Sequence, residues 1–130
     1  CDYLLFNDHT HTLLALELKT TQGALTYWRE DFDEKDIKHK YQIKKNQILG
    51  LQNWSKNHDV VCGFILNFRH KGNRTFFVHI NNFLKYTSTL SKKSINIQDV
   101  EQMNPIEINN IKKRTHYRYN IEKFLKTICK

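Results

Sequence analysis

The stretch Leu13-Leu14-Ala15-Leu16-Glu17-Leu18-Lys19 decides how this chain is read. Apolar residues at neighbouring positions describe a strand buried on both faces. Because strand side chains alternate, Leu14, Leu16 and Leu18 share one face while Leu13, Ala15, Glu17 and Lys19 share the other. A carboxylate and an ammonium on a buried face are costly unless they pair with one another or hold a metal. Taken alone, the stretch fits both a structural ion pair and a functional site.

Upstream, Tyr3-Leu4-Leu5-Phe6 is a second apolar run, separated from the first by the turn formers Asn7-Asp8-His9-Thr10-His11. The two runs read as a β-hairpin. With His9 and Thr10 at the turn centre, cross-strand partners sum to 19, and Asp2 falls directly opposite Glu17. Two carboxylates so placed repel, and a cation between them removes the conflict. Mg²⁺ suits the position, with Mn²⁺ as a substitute, because it takes one or two carboxylates and completes its shell with water and phosphate oxygens. Lys19, two residues on and on the same face, is placed to orient an attacking water or to neutralise charge building on a phosphate.

Downstream, Ile37, Tyr41, Ile48 and Leu51 recur near the helical repeat, with Ile43 and Trp54 beside the stripe, and predict a long helix over residues 34–57. Val60–Phe68 and residues 75–80 are β-rich runs joined by Arg69-His70-Lys71-Gly72-Asn73-Arg74, a second hairpin with a basic tip. A short irregular strand is expected within residues 24–28. Short helices are expected over 81–89 and 97–103, a short run at 106–108 after Pro105, and a terminal helix over 121–128. The order indicates an α/β (α+β) domain built on a mixed sheet.

At 130 residues the chain has the length of one domain, so 1–130 is read as a single unit. Lys plus Arg exceed Asp plus Glu by 21 − 13 = 8, which favours an anionic partner, most often nucleic acid. Glu30, Asp31, Asp33, Glu34 and Asp36 crowd one segment, so the rest is more basic than the total. They read as a solvated helix start. Cys1, Cys62 and Cys129 are far apart and odd in number, which argues against a disulfide framework or zinc site and for a reducing cytoplasm. The longest apolar run, residues 60–66, is too short to span a bilayer, and no charged-then-apolar leader opens the chain, so no membrane partner is expected. The chain begins with Cys rather than Met, which implies that residues upstream have been removed.

Asp2, a hairpin, then Glu17-x-Lys19 is similar to the acidic-strand motif of PD-(D/E)xK nucleases. The segment Ile43-x-x-x-Gln47-Ile48-x-x-Leu51, followed by Val60-Val61-Cys62-Gly63-Phe64-Ile65-Leu66-Asn67-Phe68, resembles the helix and following strand of RecU-type Holliday junction resolvases. The resemblance covers residues 2–80, and Lys92-Lys93-Ser94-Ile95-Asn96 also looks like RecU-related bacterial and phage proteins. It implies a restriction-endonuclease-like mixed β-sheet flanked by helices. It also implies metal ligation by Asp2 and Glu17, catalytic assistance from Lys19, and support of the site by Gln47. Capping of a backbone group is the alternative for Gln47, which lies in line with Ile43 and Leu51 and needs a polar partner. The activity implied is a Mg²⁺-dependent endonuclease acting on branched DNA as a homodimer. The chain departs from the family in having Cys1 where the family has Pro, and in lacking an N-terminal helix, on which many relatives carry a further acidic residue.

Two other readings share these residues: a restriction- or repair-type nuclease acting on duplex DNA, and a non-catalytic DNA-binding module. DNA contacts are expected from Lys44 and Lys45, from Arg69, Lys71 and Arg74 at the second hairpin tip, and from Lys92 and Lys93. Lys112, Lys113, Arg114 and Arg118 join them, in a stretch that mixes cations with His116, Tyr117 and Tyr119 as phosphate-pairing and base-stacking surfaces do. A solvated basic strand with inward tyrosines is the alternative there. His9-x-His11 lacks a third ligand nearby and reads as a solvated turn, and Cys62 reads as core.

Overall fold

The computed structural model describes residues 2–31, 41–70, 72–113, 116–119 and 121–128, with 110–113, 116–119 and 121–122 as backbone. The first two apolar runs form β1 (Tyr3–Asn7) and β2 (Thr12–Thr21), paired antiparallel from Tyr3 opposite Leu16 to Asn7 opposite Thr12. Every pair sums to 19, the register expected from the turn. The Asn7 side chain accepts the His9 N–H at 3.1 Å, and His11 closes the turn with φ 53°.

β3 (Leu25–Thr26) leads towards α1 (Lys45–Trp54), which packs on β2 and on β4 (Val60–Phe68). β4 runs parallel to β2, with Val60 beside Leu13 and Leu66 beside Lys19. β5 (Arg74–His79) returns antiparallel to β4 and continues directly into α2 (Ile80–Thr87). β6 (Ser94–Ile95) pairs with β3, and α3 (Ile97–Glu101) leads to β7 (Ile106–Ile108), antiparallel to β5. β8 (Asn110–Lys113) and β9 (His116–Tyr119) form a hairpin before α4 (Ile121–Ile128). The main sheet is five-stranded and mixed, in the order β1-β2-β4-β5-β7. No helix among the described residues is long and apolar enough to cross a membrane.

Alternation in the strands divides the core. Ala15, Cys62, Phe64, Leu66, Phe76 and Val78 face Ile48 and Leu51 of α1 and Ile80 and Phe83 of α2. Leu14, Leu16, Phe77 and Ile108 face Phe124 of α4, whose ring lies 5.4 Å from that of Phe77. The domain is thus mixed α+β, with helices on both faces of the sheet. β4 needs glycine at Gly63, where a Cβ would sit 2.2 Å from the Val78 carbonyl oxygen and inside 3 Å of the Phe77 ring.

The helix expected over 34–57 is shorter in the structure, and its residues 34–40 lie outside the described residues. Ile43, placed beside the helical stripe, is extended: its N–H donates to Thr26 O at 2.9 Å and its carbonyl accepts from Trp28 N–H at 3.0 Å. Gln42 and Thr26 add two side-chain to backbone bonds, at 3.0 and 3.1 Å. These partners satisfy the backbone in strand fashion, so the Lys44 carbonyl is the first helical acceptor and the helix begins only at Lys45.

The buried Asp99 of α3 fastens the α2–α3 region. It closes a capping box with Asn96, at 2.9 and 3.0 Å, accepts from the Tyr86 hydroxyl at 3.0 Å, and meets Lys92 Nζ at 2.7 Å. Burial works against its charge, but the Lys92 ammonium and the hydrogen-bond donors outweigh it and hold the carboxyl below its ordinary 3.8. Removing the side chain leaves buried donors unpaired. Asp99→Ala is therefore expected to cost about 2–3 kcal/mol in urea unfolding at pH 7. A lowered carboxyl stabilises the fold above its unfolded value, so this difference shrinks as pH falls below 3.8 through the folded value.

Candidate active site

Asp2, Glu17 and Lys19 meet at one end of the β1–β2 hairpin. Asp2 stands one residue before the Tyr3–Leu16 pair that opens the ladder, next to Glu17 of the facing strand. Asp2 donates its N–H to Leu16 O at 3.0 Å, and its carboxylate Oδ2 accepts the Leu18 N–H at 2.9 Å. A side-chain oxygen therefore takes the place of a backbone carbonyl in the ladder. This amide is the contributor that sequence reading missed, because a backbone donor becomes visible only once strand register is known.

Glu17 is 4% exposed and lies beside Phe64 of β4, while Asp2 is exposed. The two carboxyl groups lie close enough to shift one another's protonation. The Leu18 amide, with help from Glu17 and the Lys19 charge, holds the Asp2 carboxyl below its ordinary range against the small cost of burial. Burial first, and then the neighbouring Asp2, push Glu17 above its ordinary 4.5. The two environments thus drive the carboxyl groups in opposite directions, Asp2 down and Glu17 up. Lys19 is half-buried on the same face, beside Leu66.

The donor set fits a hard divalent ion. Two adjacent carboxyl groups, one of them raised by burial and by its neighbour, are oxygen donors of the kind such a cation takes. Among the described residues no group of three or more His, Cys, Asp or Glu side chains forms. Water and substrate oxygens would complete the shell, as Mg²⁺ ordinarily requires.

The other expected residues are dispersed. Gln47 accepts the Lys44 N–H at 3.0 Å through its Oε1 and so caps a backbone donor at the start of α1, the backbone role weighed above. Because α1 joins two parallel strands it runs back along the sheet, and its first turn lies towards the end of β2 that carries Lys19. Lys44 and Lys45 are exposed there, with Lys45 Nζ 5.3 Å from the Trp28 ring centre. Arg69 and Lys93 are exposed. Arg74 is engaged by Glu107 at 2.9 and 3.0 Å and by Glu101 at 2.9 Å, and Lys92 by Asp99, so these two cations serve the fold. Lys71 and Arg114, and the side chains of Lys112, Lys113 and Arg118, lie outside the described residues. So do Asp33, Glu34 and Asp36. His9 and His11 sit in an exposed turn. Cys62 is fully buried, and burial pushes its thiol up to about 11, which makes it inert.

The chain is similar to an SPbeta prophage-derived uncharacterized protein, YotM, of Bacillus subtilis (strain 168). Identity is 29% over 130 aligned positions, which take in 91% of this chain and 61% of that protein. The chain thus spans about three fifths of the length of the curated relative it matches. No family model matches the sequence.

Proposed function

We propose that the chain is a metal-dependent nuclease core that hydrolyses DNA phosphodiesters, of the PD-(D/E)xK type and nearest to the RecU-like junction resolvases. The observation that carries this reading is the Asp2–Glu17 pair at the hairpin end, with Lys19 on the same face. The sequence resemblance supplies the substrate: branched DNA, in preference to linear duplex.

Asp2 and Glu17 would hold the ion, whose contribution is Lewis-acid polarisation of a phosphate oxygen and a more acidic bound water. Asp2 is fixed for this by the Leu18 amide, so its orientation does not depend on the ion. Glu17 would ligate in its deprotonated form. Lys19 either orients the attacking water or compensates negative charge on the pentacovalent phosphorus. Lys44 and Lys45 at the start of α1, with Arg69 and Lys93, attract the phosphate backbone without reading bases.

The test is cleavage of a labelled four-way junction and a matched linear duplex, with Mg²⁺ or EDTA, by the native chain and by Lys19→Ala. Mg²⁺-dependent cutting of the junction is expected, with loss of roughly 10²–10³-fold in rate for Lys19→Ala. Cutting of both substrates equally would favour a restriction- or repair-type nuclease. Salt-sensitive binding that is indifferent to Mg²⁺, with no cutting, would overturn the catalytic reading.

Calorimetry provides a second check. Mg²⁺ binding is expected to release a proton from the carboxyl pair when the pH lies below the raised Glu17 value, and none well above it. Titrations in two buffers of different ionisation heat reveal the proton. Equal heats in both buffers at pH 5 would show that the ion binds elsewhere.

A further inference from the structure

Between α2 and the chain that leaves α3 lies an open groove of about 290 Å³. One wall is a single face of α2 and its C-terminal extension, where Asn82, Lys85, Tyr86 and Thr89 recur at helical spacing and so lie above one another. The inner face of the same helix, with Ile80, Phe83 and Thr87, is buried in the core. The other wall is Gln102, Met103 and Asn104. There the Gln102 and Met103 N–H groups still donate to the Asp99 and Val100 carbonyls at 3.0 Å, and Asn104 turns the chain away with φ 52°.

Both walls are held by the fold itself. The Tyr86 hydroxyl donates to Asp99 at 3.0 Å and ties α2 to α3, while the Thr89 hydroxyl donates to Tyr86 O at 2.7 Å. The polar groups that remain are the amides of Asn82, Gln102 and Asn104 and the Lys85 ammonium. Among the described residues none of these enters a side-chain hydrogen bond or an ion pair, and no residue that lines the groove is acidic. Met103, 2% exposed, and the half-buried Tyr86 supply apolar surface.

We propose that this groove receives an unpaired nucleotide of a nucleic-acid strand, with its base against the amides and its phosphate at Lys85. An amide presents a donor and an acceptor side by side, the pattern that the edge of adenine matches. A planar base also uses the Met103 and Tyr86 surface, which a phosphate alone does not need. Lys85 favours an anion, as does the formal +8 of the chain. Within a duplex the base faces are stacked and the pairing edges taken, so the groove selects single strands. It lies on other elements than Asp2, Glu17 and Lys19, and needs neither metal nor cleavage to fill.

Fluorescence anisotropy in EDTA tests the site, with short labelled oligoadenylates, deoxy and ribo, and a labelled DNA duplex of the same length. Both single strands are expected to bind, because base and phosphate are common to them, and the tighter of the two identifies the source. Asn82→Ala and Gln102→Ala are each expected to weaken single-strand binding roughly 10-fold and to leave duplex binding unchanged. Lys85→Gln is expected to lower the slope of log affinity against log salt by ~0.7, the share of one single-strand phosphate. Equal single-strand affinity of the native chain and of the double variant Asn82→Ala, Gln102→Ala would overturn the proposal. An equal loss on the duplex would overturn it too, since these residues would then belong to a general basic surface. With EDTA present, failure of the nuclease reading leaves each of these results unchanged.

Discussion

Glu17→Gln is expected to abolish metal-dependent cleavage while making the folded chain more stable at neutral pH. The two effects have one cause. Glu17 is held at 4% exposure against Phe64, and burial raises its carboxyl above the ordinary 4.5. A raised carboxyl binds its proton more tightly in the folded than in the unfolded chain. Its contribution is therefore fully favourable below 4.5 and is lost as pH rises through the folded value. At pH 7 the native protein carries the cost of a buried charge. Gln is nearly isosteric and uncharged, and its amide can donate to Asp2 as the protonated acid does. Urea unfolding is expected to show a gain of about 1 kcal/mol at pH 7 and little difference at pH 4. Cleavage is expected to fall by no less than the ~10²–10³-fold that loss of one charge-stabilising group costs. A destabilised Glu17→Gln at pH 7 would show that the charged form is the one the fold prefers. A stable variant with full activity would remove Glu17 from the site.

The largest effect on the fold itself is expected at Gly63. A methyl group there meets the Val78 carbonyl oxygen at 2.2 Å and the Phe77 ring at 2.8 and 2.9 Å. The first obstacle is backbone of the paired strand, which cannot rotate away, so the β4–β5 ladder itself must spread. Gly63→Ala is expected to cost about 3 kcal/mol or more, at the upper end of overpacking in cores. Gly50 in α1 supplies the internal control, since nothing lies within 4 Å of a Cβ built there. Gly50→Ala is expected to stabilise by about 0.5–1 kcal/mol through helix propensity and a less mobile unfolded chain. The same chemical change thus carries opposite signs at the two positions, and chemical denaturation of both variants checks it.

Much of the site was legible in the sequence because a hairpin register follows from local turn residues. Placing His9 and Thr10 at the turn centre was sufficient to set Asp2 against Glu17, and apolar neighbours on both sides told that Glu17 is buried. The start of α1 was not legible. Ile43 falls beside the helical stripe by spacing, yet its backbone bonds to Thr26 and Trp28, residues distant in sequence that no periodicity reveals. The partners of the cations were hidden for the same reason: Glu101 and Glu107 reach Arg74, and Asp99 reaches Lys92, only through folding. Gln47 lay between two readings, and the deciding group was the Lys44 amide, a backbone donor three residues away whose need depends on where the helix begins.

The position of β2 between an antiparallel and a parallel neighbour sets the tempo of folding. Its pairing with β1 closes across a four-residue turn, whereas its pairing with β4 waits for everything from Thr21 to Val60 to be laid down as a crossover. Hairpins form in microseconds, but domains dominated by such distant pairings fold in milliseconds to seconds. During that interval Leu14 and Leu16 lack the cover they have in the finished domain, and Tyr3 to Phe6 are exposed throughout. Refolding at high concentration is therefore a race between the arrival of β4 and the arrival of another chain.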